Sequence, residues 1–186
     1  MSSRINKDNY YLNIAKSVAL RSNCLSAIMG AVIIRDDQIV STGYVGAPRK
    51  TKDCMDLGFC IRRRKNVKSG TGYEICRSVH AEMNAIINAA RAGVSLLNGD
   101  LYLHASIRSE GGEKLVKAQP CLMCKKMIVN AGIKRFIGHD ENGKIVESKI
   151  SDWIKNWAEV EDLSQDKDKY FSDYSGHKDQ MSSSFK

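Results

Sequence analysis

The chain reads as an α/β protein, a sheet layered between helices, and three observations lead there. Short strand-like apolar stretches alternate along it with stretches of helical period, the order that builds a sheet covered by helices. Two of the helical stretches end in glycine, a common stop signal. The 186 residues, 42% of them apolar, suffice for one domain with a substantial core.

Tyr11, Ile14, Ala15 and Val18 share one face of a first helix opening near Asp8. Residues 30–34 and 38–42 read as a hairpin, with Asp36 and Asp37 near its turn. The polar stretch 48–72 reads as loop. Met83, Ile86, Ile87 and Ala90 then recur at helical spacing up to Gly93. A strand over 101–104 and a loop over 106–119 lead to Pro120, whose fixed φ suits a first helical turn. Met123, Met127 and Ala131 line that helix, which stops at Gly132. A strand over 135–138 and a helix around 150–157 complete a domain expected to span residues 1–163. Residues 164–186 are polar and expected to form a partly disordered tail, with Tyr170, Phe171 and Tyr174 available to dock on a neighbouring subunit.

Composition narrows the function classes. No apolar run approaches the roughly 18 residues of a membrane span, so no membrane partner is expected. Residues 1–4 lack the apolar stretch of a signal peptide, which points to the cytoplasm. Six cysteines in such a chain favour metal over disulfides. The formal charge of +8 is concentrated partly in Arg62, Arg63, Arg64, Lys65 and Lys68. Such a run binds phosphate, on a nucleotide or a nucleic acid, or is simply a solvated loop.

The chemistry sits in a split cluster, His80-Ala81-Glu82 and Pro120-Cys121-Leu122-Met123-Cys124. It offers three metal-ligand side chains and one acid that is not a ligand. A structural zinc is usually closed by four protein ligands, whereas three leave a position for water, whose pKa the metal lowers to about 7. Residues i and i+2 inside a helix point to nearly opposite sides, so His80 and Glu82 are expected at a helix start. Cys121 and Cys124 likewise fall at a helix N-terminus, where the dipole favours thiolate. A lone Cys-x-x-Cys also fits a redox pair or half of a structural site. Joined to His-x-Glu, it matches the signature of zinc nucleobase deaminases.

At these residues the chain resembles the cytidine deaminase superfamily, and more closely the deoxycytidylate (dCMP) deaminases. The likeness runs through Arg21-Ser22-Asn23-Cys24, Gly30-Ala31-Val32-Ile33, Ser41-Thr42-Gly43-Tyr44, Gly46-Ala47-Pro48-Arg49 and the segment from Cys76 to Ile86, covering residues 8–138. It implies a three-layer α/β/α sandwich around a mixed sheet of about five strands. It also implies a catalytic zinc on His80, Cys121 and Cys124, with Glu82 as proton shuttle in the hydrolysis of a cytosine nucleotide, dCMP to dUMP plus ammonia. A homo-oligomer and a nucleoside triphosphate effector come with the family. Other substrates remain open: CMP, a modified dCMP or an RNA base. So does a non-catalytic, zinc-stabilised nucleic-acid-binding module.

Three further expectations concern the surroundings. Cys24, Cys54, Cys60 and Cys76 equal the ligand count of a structural zinc and bracket the long loop; phage-type relatives carry a second zinc on cysteines matching Cys24 and Cys54. The alternative is isolated buried thiols. Val45, Ala81 and Pro120 are the expected substrate contacts, although Val45 stands where the family has an asparagine that meets sugar and base. The stretch 106–119 resembles an insertion beside the metal, where His104, Arg108 and Lys114 would remodel the pocket or bind phosphate; the alternative is a surface loop with no role.

Overall fold

A computed structural model describes residues 4–68 and 71–157. The chain divides into two compact units, Met1–Ile150 and Ser151–Lys186, and the first contains the whole sheet. The expected tail at 164–186 lies outside the described residues.

Local signals set the first elements. Helix α1 (Lys7–Ala19) begins at Asn6, whose side-chain oxygen accepts from the Asn9 N–H at 2.8 Å, satisfying a donor that the helix itself leaves open. Strands β1 (Ala27–Arg35) and β2 (Gln38–Tyr44) form the expected hairpin. Asp36 and Asp37 turn it with φ of 51° and 63°, the positive pair that suits a two-residue turn between twisted strands. The expected loop at 48–72 is partly helical instead. Asp53 and Asp56 form a reciprocal cap that starts α2 (Cys54–Leu57), and α3 (Ile61–Arg64) comes next.

After α4 (Ala81–Arg91), β3 (Asp100–Ser109) is longer than expected and folds back on β4 (Gly112–Leu115). The stretch read as an inserted loop is therefore largely a sheet extension. Then come α5 (Leu122–Asn130), β5 (Arg135–His139), β6 (Ile145–Lys149) and α6 (Ile150–Lys155). The sheet order is β2-β1-β3-β5-β6, with β4 on β3, and β3/β5 is the parallel pair. Strand β6 has little apolar burial of its own. Arg135 helps hold that edge, bonding Asp100 at 2.6 Å and Glu147 at 3.2 Å.

Register shows which helix covers which face. Ala31 pairs with Gly43, while Gly30, the next residue, faces the other way. A Cβ on Gly30 would collide with the α1 backbone at Ala15 and Ala19; one on Gly43 would collide with the α4 backbone at Ala81 and Ala85. The two helices thus lie on opposite faces, α1 on one and α4 with its neighbour α5 on the other, which is the three-layer sandwich. On the α1 side Tyr11, Leu12 and Ala15 pack with Val32, Ile34, Tyr102 and Ile137.

The apolar helix faces differ from the expected ones for the same reason. In α4 the buried stripe is Ala81, Ala85 and Ala89, while Ile87 is 42% exposed. A helix lying directly on Gly43 has room below it for methyl groups only. In α5 the buried residues are Cys124 and Ile128, and Met123 is 39% exposed.

His104 is paired across the sheet with Gly30, so it points to the α1 side, and Arg108 shares that parity. Arg108 donates to the carbonyls of Cys24 and Ser22, both at 3.2 Å. Neither residue remodels the face that carries α4, contrary to expectation. The buried His104 instead joins a chain of rings. His139 Nδ1 lies 2.9 Å from the Asp140 carbonyl, and His139 Nε2 accepts from the Ala105 N–H at 3.2 Å, which makes Nδ1 the protonated nitrogen. His104 Nδ1, 3.2 Å from that Nε2, must then donate. Its own Nε2 is left as a buried acceptor 3.6 Å from the Glu113 carboxylate, without a hydrogen bond.

Burial, and next the His139 neighbour, hold the His104 pKa below its ordinary value, outweighing Glu113. Unfolded protein therefore binds a proton that folded protein refuses, so stability should fall as pH drops below about 6.5. Chemical denaturation at several pH values between 5 and 8 should show this, and His104→Gln should flatten the slope whatever its absolute stability.

Candidate zinc centre

The ligands occupy matching positions on two helices. His80 is the N-cap of α4 (φ −70°, ψ 155°) and Cys121 the N-cap of α5 (φ −69°, ψ 169°). An N-cap side chain ordinarily accepts from its own helix, yet neither of these does, so both are free to meet elsewhere. The extended cap also resolves the His80–Glu82 spacing, because only Glu82 has helical geometry.

Packing aims the caps. Asn84 and Asn88 of α4 donate to the carbonyls of Tyr44 and Thr42, each at 2.8 Å, and Ser41 donates to Ala85 at 2.6 Å. Just before α4, Val79 and Gly46 exchange backbone bonds at 2.8 and 3.1 Å. Each such bond contributes about 0.5–1.5 kcal/mol net, enough together to fix the register of the helix start.

His80 Nδ1 lies 3.4 Å from both Cys121 Sγ and Cys124 Sγ. A tetrahedral zinc at ordinary bond lengths separates nitrogen and sulfur ligands by about 3.6 Å, so the donor set fits that ion. Among the described residues this is the group of three metal-ligating side chains whose donor atoms lie within 4.8 Å of one another. Cys124 is fully buried and Glu82 is 3% exposed.

Protons are distributed unevenly here. Cys121 is drawn down to about 4, chiefly by the hydrogen bond from Cys124 and then by His80. Cys124 is pushed up, by that same bond and by burial. His80 is raised, first by its bond to Cys121. Burial raises Glu82, outweighing the opposing pull of its backbone hydrogen bond and of His80. The shifts thus favour the thiolate form of Cys121 and the protonated forms of Cys124, His80 and Glu82.

The other expected residues are less concentrated. Val45, Ala81 and Pro120 are all buried. Cys24, Cys54, Cys60 and Cys76 do not bring three sulfurs within 4.8 Å of one another. They are neighbours nonetheless: burial raises the Cys54 thiol, followed by Cys24, with smaller contributions from Cys60 and Cys76. Cys24 Sγ accepts from the Ser26 and Ala27 N–H groups at 3.4 Å each.

One residue at the site had no signal in the sequence. Tyr73, in the one-turn helix Tyr73–Ile75, meets the His80 ring edge-on at 4.9 Å and 85°. A cavity lined by Asp8, Tyr11, Asp37, Asp100, Tyr102 and Arg135, among others, shares no residue with the cluster. Tyr11 bonds Asp37, Tyr102 bonds Asp8 and Arg135 pairs with Asp100, so its polar groups satisfy one another and the chemistry lies at the cysteines.

Comparisons with known proteins converge on the same residues. The family model for the cytidine and deoxycytidylate deaminase zinc-binding region matches residues 5–139. The deoxycytidylate deaminase of Mycobacterium phage D29 is 33% identical over 140 residues, covering 73% of this chain and 95% of that protein. That of Schizosaccharomyces pombe is 33% identical over 132 residues, which cover 71% of this chain but 36% of the yeast protein. The solved structure of dCMP deaminase from the cyanophage S-TIM5, in complex with dCMP and dUMP, aligns with a TM-score of 0.53 at 20% identity, over 84% of this chain and 95% of that one; it supports the fold. Because the family match runs through both helix starts that carry the cluster, the chain belongs to the cytidine and deoxycytidylate deaminase family.

Proposed function

We propose that the chain hydrolyses dCMP to dUMP and ammonia, using a zinc ion held by His80, Cys121 and Cys124. The observation that carries this is Glu82. It is buried beside a three-ligand cluster without being one of the ligands, a costly placement for a carboxyl in a purely structural site. Bound there, zinc supplies a Lewis acid that makes water nucleophilic at neutral pH. Glu82 would take one proton of that water and deliver it to N3 of the pyrimidine as the oxygen bonds to C4. It would then take the remaining proton of the new C4 hydroxyl and pass it to the amine, so that the C4–N bond breaks, ammonia leaves and C4 becomes a carbonyl. Burial suits this role, since a carboxyl raised from its ordinary pKa both accepts and returns a proton readily. Relatives named deoxycytidylate deaminase support the choice of substrate.

Val45 leaves the sugar preference open, because a buried valine offers no hydrogen bond where an asparagine would. Val45, Ala81 and Pro120 would serve as apolar walls of the base pocket. A homo-oligomer, a nucleoside triphosphate effector and a cytoplasmic setting belong to this proposal on the family resemblance alone.

A second, structural zinc on Cys24, Cys54, Cys60 and Cys76 is supported by their proximity and by the two N–H groups donated to Cys24, a pattern that suits a thiolate ligand. Binding would draw the four sulfurs together.

Glu82→Gln should retain zinc while losing about 10²- to 10⁴-fold in turnover. Ammonia release from dCMP, CMP, cytidine, dCTP and an RNA hairpin should be greatest for dCMP. Salt-dependent RNA binding with no ammonia from any of them would favour the binding module instead. Metal analysis should find two zinc ions per chain, falling to one in Cys124→Ser; one in the parent protein would remove the structural site.

A further inference from the structure

A metal-bound imidazole is normally held in orientation by a hydrogen bond on its second nitrogen, from a carboxylate, a carbonyl or water. In His80, Nδ1 faces the two sulfurs, and among the described residues no protein group hydrogen-bonds the other nitrogen. What touches the ring is Tyr73, at 4.9 Å between centroids and 85° between planes. That edge-to-face arrangement is the favoured geometry for two aromatic rings and restricts rotation of both.

Tyr73 is itself clamped from behind. The Arg62 guanidinium lies 4.8 Å from the centre of the Tyr73 ring. Its Nη2 donates to the carbonyls of Lys68 and Thr71, at 3.2 and 2.6 Å. Arg62 Nε is buried with no hydrogen-bond partner, and the contacts of this cation are to the Tyr73 ring and the loop backbone. Within the basic run Arg62 therefore differs from Arg63 and Lys65, which are exposed, and from Arg64, which stacks at 3.6 Å on Phe59.

We propose that Tyr73 is a positioning residue for the metal centre: its ring, locked by Arg62, orients the His80 imidazole. This rests on the reading of His80 as a zinc ligand. The contact is made by the ring and not by the hydroxyl, so Tyr73→Phe should behave as the parent and Tyr73→Leu should not.

The test compares the zinc-loaded parent with Tyr73→Phe, Tyr73→Leu and Arg62→Met. Zinc affinity is measured by competition with a chromophoric chelator, and ligand geometry by the visible absorption of the cobalt(II)-substituted proteins. Tyr73→Leu should lose about 10- to 100-fold in zinc affinity and shift the cobalt bands, with kcat lowered more than KM is raised. Arg62→Met should move the same readouts in the same direction, and Tyr73→Phe should leave them in place. Folded Tyr73→Leu with zinc affinity within about threefold of the parent and unshifted cobalt bands would overturn the proposal. If Tyr73→Leu does not fold, Arg62→Met decides: unchanged affinity and bands there overturn it equally. A parent that binds zinc yet releases no ammonia from dCMP would overturn the proposed function and leave this test intact.

Discussion

The seating of α4 on β2 is the constraint on which the metal centre depends. Gly43 has no side chain, so the helix backbone rests on the strand itself at Ala81 and Ala85. At that separation Asn84, Asn88 and Ser41 can stitch helix to strand, and the N-terminus of α4 is fixed in both height and rotation. His80 and Glu82 inherit that placement. A bulkier residue at either surface would move the ligand and the acid together, since both belong to the same first turn.

The second constraint is electrostatic. Three ligand side chains and an acid share a small volume, two of them nearly inaccessible to water. The hydrogen bond that Cys124 donates to Cys121 drives the two thiols in opposite directions. The same crowding suits the proposed zinc, because a divalent ion would take the place of protons on its ligands.

The polar segment between β2 and α4 has a share in this centre. It carries three of the four remaining cysteines and the clamp of Arg62 on Tyr73. On the far face of the sheet the His104–His139 chain is a separate polar network, walled off by the strands. Placing the two networks on opposite faces keeps a buried, weakly basic imidazole away from Glu82, the acid proposed to move protons in the reaction.

Features that depend on neighbours in sequence were legible without the fold. The hairpin at Asp36 and Asp37, the stops at Gly93 and Gly132, and the helix starts at His80 and Cys121 all derive from local backbone preference. The candidate ligand set His80, Cys121 and Cys124 was legible because zinc demands particular side chains at particular spacings, and the structure brings these three together. Tertiary structure decided the rest, where the partner is remote. Ala85 displaced Ile87 from the buried face because Gly43, distant in sequence, lies across from it. Strands β4 and β6 exist because an edge of the sheet was there to pair with. Tyr73 reaches His80 only because the loop folds back under Arg62, and no periodicity in a polar stretch announces such a contact.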